Sequence, residues 1–399
     1  MLQLMADGGW RMAEGSRTAG DASPMTHDHS VVLSGTMSTP DRLFDEKRPL
    51  EIADQGCFYA GGRYVEEDGK RSLLGQMFVQ YQIPAKRRFP HPVVMIHGGG
   101  QTAVNFLGTP DGRRGWADDF LAHGYAVYLV DQPGRGRSGY YHGYGKSAHR
   151  DADGIAGRFS APERVNQWEQ ARHHTQWPGD GHSDAAFDQF YASQVESMAD
   201  VAALERMMRE AGAALLDRIG PAVLLTHSQG GPLGWTIADA RPKLVKGILA
   251  IEPNGAPLYE QKFTGPPDWM VDDVVTRPWG ITRGPLTFAP VVKDASELKF
   301  VKQDKADGPG LVRCWLQADP PRKLVNLAGI PILIVTAEAS YHAPYDHCTS
   351  HFLRQAGVEH EFARLADHGI RGNGHMMMLE KNNLEISAFL RLWLEKKVK

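Results

Sequence analysis

The chain has 399 residues, 42% of them hydrophobic and 23% charged, with a formal net charge of -3. Such a length and composition suit a globular chain with one large domain or two ordinary ones, able to bury a sizeable core. Near-balanced charge without a basic stripe excludes nucleic acid as a partner, and no apolar run reaches the length of a membrane span, which leaves a small molecule.

The first 45 or so residues are rich in Gly, Ser, Thr, Asp and Met, lack periodicity and hold no apolar secretory segment. They predict a flexible tail and, by default, a cytoplasmic protein. The domain is then expected over 46–399. GQMFVQYQI (75–83) alternates as a half-buried strand should, whereas HPVVMIHGGG (91–100) is a continuous apolar run ending in glycines. Such runs mark strands buried on both faces. YAVYLVDQPG (125–134), AVLLTHS (222–228), KGILAIEPNG (246–255) and IPILIVTAEA (330–339) repeat the pattern, and VEHEFARLAD (358–367) supplies one more strand. Residues 187–212 carry Phe190, Val195, Met198, Val201, Leu204 and Met207 near helical spacing, and ISAFLRLWLEKK (386–397) reads as an amphipathic helix with a basic last turn. Buried strands alternating with helices predict an α/β fold, a doubly wound and mostly parallel twisted sheet flanked by helices.

Two stretches, about 139–186 and 256–325, break the alternation yet keep aromatic residues such as Tyr140, Trp168, Trp269 and Trp315. Long insertions of that kind are expected to be caps over a site rather than linkers. Cys57, Cys314 and Cys348 are odd in number and far apart. No Cys-x-x-Cys pair points to zinc, and no disulfide framework is expected. Cys57, within CFYA, reads as a small core residue. His173-His174, His342 with Asp346-His347, and His27-Asp28-His29 lack metal-ligand spacing and read as scattered surface histidines. No metal and no cofactor are expected.

The chemistry centres on LLTHSQGG (224–231). A serine hydroxyl needs exposure on a tight strand-to-helix turn and a nearby base. Gly230 and Gly231 suit that turn at Ser228, but Thr226 puts a β-branched side chain where a small residue is usual. Taken alone, the stretch reads equally as a polar turn. His97-Gly98-Gly99-Gly100 ends an earlier strand, where backbone N–H groups are placed to hold an oxyanion, roughly 2.7–4 kcal/mol per donor. Gly99 and Gly100 are the expected donors there, with Gln229 on the other side. Asp131-Gln132-Pro133-Gly134-Arg135-Gly136 has no phosphate-loop spacing.

The order HGGG, then DxPGxGxS, then a serine turn resembles the α/β-hydrolase superfamily over roughly residues 75–395. The resemblance implies that the Asp-x-Pro-Gly stretch is structural and that an acid and then a histidine follow the serine. His375, in GNGHMMM before an expected helix start, takes the base position, with His368 as runner-up and His360 structural. For the acid, Glu252 and Glu338 both end buried strands, and Asp346 follows Glu338. THSQGG, IEPNG and GNGHMMM are similar to a small group of bacterial esterases whose acid follows strand six, which implies Ser228, Glu252 and His375.

The resemblance implies a carboxylesterase acting on small apolar or aromatic esters. The motif set is also similar to esterases that de-esterify sulfonylurea herbicides. An acyltransferase, a lactonase and a non-catalytic binding module are the competing readings, and a homo-oligomer is left open.

Overall fold

The computed structural model describes residues 2–4, 10–12, 49–267 and 269–399. The chain divides into two units, Met1–Thr36 and Met37–Lys399. In the first, Leu2–Leu4 pairs antiparallel with Trp10–Met12. The rest of the expected tail lies outside the described residues.

The second unit is built on eight strands: β1 (Ile52–Glu67), β2 (Lys70–Pro84), β3 (Val93–Ile96), β4 (Val127–Asp131), β5 (Ala222–His227), β6 (Val245–Ile251), β7 (Ile332–Thr336) and β8 (Glu361–Arg364). They lie in the order β1-β2-β4-β3-β5-β6-β7-β8. Strands β3 to β8 run parallel, and β2 is antiparallel to both β1 and β4. The doubly wound sheet expected from the alternation is what forms. Asp68 (φ 51°) and Gly69 (φ 72°) make the tight β1–β2 turn, the positive φ values a two-residue hairpin of matching twist requires.

Every residue of β3, β5 and β7 is buried, because successive side chains enter different cores. Val93, Met95, Val223, Leu225, Leu249 and Leu333 join one core with α1 (Trp116–Ala122) and α5 (Asn383–Lys397). Val94, Ile96, Leu224, Ile248 and Ile332 join the other with α2 (Val201–Ile219) and α3 (Gly230–Ala240). Continuous apolar runs in the sequence therefore mark strands covered on both faces.

Several expectations are corrected. The helix foreseen over 187–212 is two, Ala185–Ala192 and α2, separated by an irregular link. Asp200 restarts the helix by accepting the Ala203 N–H, and the link is tied at Val195 to the carbonyl of Gly100. Met376–Met378 form buried turns rather than a helix start, and α5 begins at Asn383. Cys314 and Cys348, with Cα atoms 5.1 Å apart, form a disulfide. Their separation of 34 residues hid this, since the second insertion returns one cysteine to α4 (Asp346–Gln355), which carries the other. Cys57 is exposed on β1, not in the core. Of the supposed surface histidines, His174, His342 and His347 are buried, and His27 and His29 lie outside the described residues.

Both insertions hold structure of their own. Within 139–186 lie short helices at Ala152–Ile155 and Pro162–Val165. Within 256–325 lies an antiparallel ribbon, Leu258–Gly265 with Trp269–Arg277.

Between β5 and α3 the chain turns at Ser228, held at φ 53°, a conformation non-glycine residues seldom adopt. The turn fits only because its neighbours are small. A Cβ on Gly230 would stand 2.7 Å from the Ile96 carbonyl oxygen, and one on Gly231 would stand 2.5 Å from Pro253 Cα. The same data explain Thr226: its methyl fills the space at Gly234, where a Cβ would come within 2.6 Å of Thr226 Cγ2. The bulk at the first elbow position is offset by a missing side chain in the following helix. Gly234→Ala should therefore cost about 1–3 kcal/mol by overpacking. In the Thr226→Ala background, which removes that methyl and a buried, unpaired hydroxyl, most of the cost should disappear. A denaturant double-mutant cycle measures this, and additive effects would contradict the packing account.

Candidate active site

Loops at the carboxyl ends of β3 to β8 converge. Ser228 follows β5; its N–H donates to the Ile251 carbonyl at 3.0 Å, and its carbonyl accepts the N–H groups of Gly231 and Asn254 at 2.8 Å each. Glu252 ends β6 at φ 44° and is fully buried. Its Oε1 accepts the Ala337 N–H at 2.8 Å, and its Oε2 accepts the Ser340 hydroxyl at 2.6 Å. The same Oε2 lies 2.5 Å from Nδ1 of His375. The structure thus brings Glu252 and His375 into direct contact.

His375 is enclosed. Phe159 stacks on its ring at 5.6 Å and His342 at 4.8 Å, while His227 Nε2 lies 3.0 Å from its carbonyl oxygen. Burial pushes the imidazole well below its ordinary value, reinforced by the charges of His227, His342, Arg158 and Arg150. Burial also pushes the Glu252 carboxyl up, helped by Asp346 and opposed by the donors from Ser340 and Ala337. A neutral imidazole is the state a general base needs at neutral pH.

Nε2 of His375 faces the Tyr341 hydroxyl at 3.3 Å, and Ser228 lies near enough to act on that phenol. Burial pushes Tyr341 up to about 12, so it stays a phenol. No motif marks Tyr341, which lies between Glu338 and Asp346.

The alternative acids are engaged elsewhere. Glu338 binds Arg371 Nη1 at 2.7 Å and the Gly372 N–H at 2.9 Å. Asp346 binds His342 Nδ1 at 2.8 Å and accepts the Thr336 hydroxyl at 2.7 Å. His368 packs on Phe389 away from the serine, and His360 bonds the Ser350 hydroxyl at 2.7 Å.

Of the three expected oxyanion donors, Gly100 is corrected: its N–H is spent on Ser197 Oγ at 2.8 Å. Ser197 lies in the link that interrupts the foreseen helix, which is why the sequence concealed it. Gly99 and Gln229 line the cavity beside Ser228, and among the described residues neither N–H has an acceptor. Beneath them Arg135, 1% exposed, donates from Nη1 to the Gly98 carbonyl at 2.8 Å and from Nη2 to Gln229 Oε1 at 2.5 Å. Burial lowers it to about 10, so it keeps its charge, and no carboxylate pairs with it among the described residues. A buried cation here favours negative charge just above it. Asp131 accepts the N–H groups of Ala103 and Arg137 at 2.9 and 3.0 Å, which fits the structural role expected of its motif.

Among the described residues three sets of side chains lie close enough together to hold a cation: Glu252 with His342 and His375, Cys314 with His347 and Cys348, and Asp307 with Cys314 and His351. In the first, Glu252 and His375 are committed to the hydrogen bonds above, and in the other two the Cys314 sulfur is bonded to that of Cys348. Over Ser228 opens a cavity of about 440 Å³, walled by Arg150, Arg158, Phe159, Tyr341 and Tyr345 from the insertions and the loop after β7.

Behind His375, Glu380 accepts the Gly374 N–H at 2.9 Å and holds His174 Nε2 at 2.9 Å, and Glu163 in the first insertion holds His174 Nδ1 at 2.9 Å. These carboxylates raise His174 to about 9 against the desolvation that would lower it. The stabilisation is then fully present below the ordinary value of 6.5 and lost as the pH rises through about 9. His174→Phe should lower stability by on the order of 3 kcal/mol at pH 6, and the difference from wild type should shrink towards pH 9. Thermal unfolding of both proteins across that range measures it; a difference independent of pH would contradict the assignment.

The chain matches the model described as "Alpha/beta hydrolase family" over residues 93–388. It is 47% identical over 343 residues to "Probable secreted lipase phiG" of Fungal sp. (strain ATCC 74256), covering 85% of this chain and 89% of that one. Its fold is similar to that of a novel bacterial esterase solved at atomic resolution, with a TM-score of 0.61 and 22% identity, covering 91% of this chain and 99% of the other. With the strand order, the serine turn and these matches together, the chain belongs to the alpha/beta hydrolase family and is an enzyme of its esterase and lipase type.

Proposed function

We propose that the protein is a serine carboxylic-ester hydrolase in which Ser228, Glu252 and His375 form the triad. The observation that carries this reading is the 2.5 Å contact of Glu252 Oε2 with His375 Nδ1 beside a serine held at positive φ. His375 Nε2 removes the Ser228 proton as Oγ attacks the ester carbonyl carbon. Glu252 fixes the imidazole tautomer and stabilises the imidazolium that forms. The N–H groups of Gly99 and Gln229 hold the oxyanion, with Arg135 keeping their loops in register and adding positive potential. The tetrahedral intermediate collapses, the C–O bond to the alcohol breaks, and His375 returns its proton to the leaving alkoxide. Water, deprotonated by the same imidazole, then releases the acid from the acyl-enzyme.

The attacking oxygen requires Tyr341 to yield the place its hydroxyl holds beside His375 Nε2. A substrate carbonyl entering the cavity displaces that hydroxyl. A cavity of about 440 Å³ suits a small ester. The methyl esters of sulfonylurea acids, suggested by motif similarity, form one candidate substrate class. The Cys314–Cys348 disulfide and the relative named as secreted support an oxidising compartment rather than the cytoplasm inferred from the first residues.

A fluorophosphonate probe should label Ser228, found by intact mass and peptide mapping, and Ser228→Ala should lose labelling and at least about 10³-fold of p-nitrophenyl butyrate turnover. Methanol release from a sulfonylurea methyl ester tests the finer substrate class in the same assay. Folded wild-type protein without labelling or turnover would overturn the reading.

A further inference from the structure

The wall of the cavity over Ser228 carries an electrical imbalance that an ester of two apolar halves would not use. Arg150 and Arg158 both line it. Arg158 lies on a segment of the first insertion, beside Phe159, whose ring stacks on His375. Its guanidinium carbon stands 4.6 Å from the ring centre of Phe263 and 4.7 Å from that of Tyr341. Ring faces attract the cation but accept none of its N–H groups in the plane, so its donors remain unspent.

Among the described residues, neither guanidinium has a carboxylate within 4.0 Å or a hydrogen-bond acceptor for its side chain. The carboxylate that lines the same cavity, Glu260, is taken: Arg277 Nη1 donates to its Oε2 at 2.8 Å, and so does the Thr276 hydroxyl at 3.2 Å. Arg277 is itself 2% exposed, so Glu260 is bonded to Arg277 and reaches Arg150 only at longer range, which leaves the wall with two positive charges in no ion pair. Arg158 repels Arg150 across the cleft, and both charges act on His375. Like charges gathered in a partly desolvated cleft are stabilised by an anion that bridges them.

We propose that Arg150 and Arg158 form an anion subsite, so that the enzyme's preferred substrates are esters carrying a free carboxylate. This rests on the serine-esterase reading and deepens it. Arg158 lies over the Tyr341 ring, whose hydroxyl faces His375 Nε2, so the ring stands between the guanidinium and the reacting groups. The carboxylate therefore sits a short chain away from the scissile carbonyl, not next to it. The in-plane N–H groups of Arg158 make the paired donation a carboxylate accepts, and Arg150, which is exposed, closes over it from the cavity mouth.

The carboxylate belongs either to the acyl half or to the alcohol half, and two pairs of charged and neutral esters on the same scaffold separate these. For the acyl half, p-nitrophenyl hydrogen glutarate is compared with p-nitrophenyl hexanoate. For the alcohol half, 4-(butanoyloxy)benzoate is compared with the butanoate ester of 4-methylphenol. In wild-type protein the kcat/KM ratio of charged to neutral ester should be at least about tenfold in one pair, the worth of a charge-assisted hydrogen bond.

That ratio should fall towards one in Arg150→Met/Arg158→Met and partly in Arg150→Met, whose exposed site leaves folding undisturbed. The ratio is taken within each variant, so a general loss of activity cancels. Neutral esters turned over with no preference for the anion in either pair, or a preference unchanged in both variants, would overturn the subsite and leave the esterase standing. No turnover of the neutral esters and no Ser228 labelling would instead overturn the esterase reading itself.

Discussion

A carboxylate sealed from water at the end of a buried strand is the constraint around which the site is arranged. Glu252 is fully buried, and an isolated charge there would be far too costly to keep. Its two oxygens are met by the Ala337 N–H, the Ser340 hydroxyl and the His375 ring. Two of those three partners come from the segment after β7, and the third comes from the loop after β8. Parallel neighbours β6, β7 and β8 deliver them because each strand ends at the same edge of the sheet. The position of the imidazole is therefore a consequence of satisfying the acid.

The same economy of partners extends outward. The loop that carries His375 is fastened at Gly372 by Glu338 and at Gly374 by Glu380, which also grips His174 of the first insertion. Glu338, the other carboxylate that follows a buried strand, thus holds the loop that carries His375. On the other side, Arg135 joins the Gly98 carbonyl to the Gln229 side chain, so one buried cation ties together the two segments that offer N–H groups to an oxyanion. Ser228 keeps its strained backbone because Gly230 and Gly231 admit the carbonyl of β3 and the loop after β6 at distances no side chain would allow.

Much of this was legible in sequence, and the reason is physical. Runs such as VVMI and AVLLTH are apolar throughout because both faces of their strands are covered, which alone predicts a parallel sheet with helices on either side. The ends of those runs then place Ser228, Glu252 and the glycines of HGGG at one edge. What stayed hidden depended on contacts between distant segments. The Cys314–Cys348 bridge joins an insertion to a helix. The break before α2 exists because residues 193–200 are tied to Gly100, although their apolar spacing fits an unbroken helix. Tyr341 and His174 carried no motif, Arg135 stood at a variable position of one, and their roles come from neighbours that local pattern does not name. Thr226 looked like a defect until Gly234, in the next helix, supplied the missing space.

The central claim is that the acid acting on His375 is Glu252 and not Glu338. Steady-state kinetics of Glu252→Gln and Glu338→Gln on one p-nitrophenyl ester tests it most directly. On this account Glu252→Gln lowers kcat by roughly 10⁴-fold, the loss expected when the orienting carboxylate is replaced by an amide. Glu338→Gln, which loosens only the loop of the base, should cost less than about tenfold. Equal losses in the two variants, or a larger one in Glu338→Gln, would contradict it.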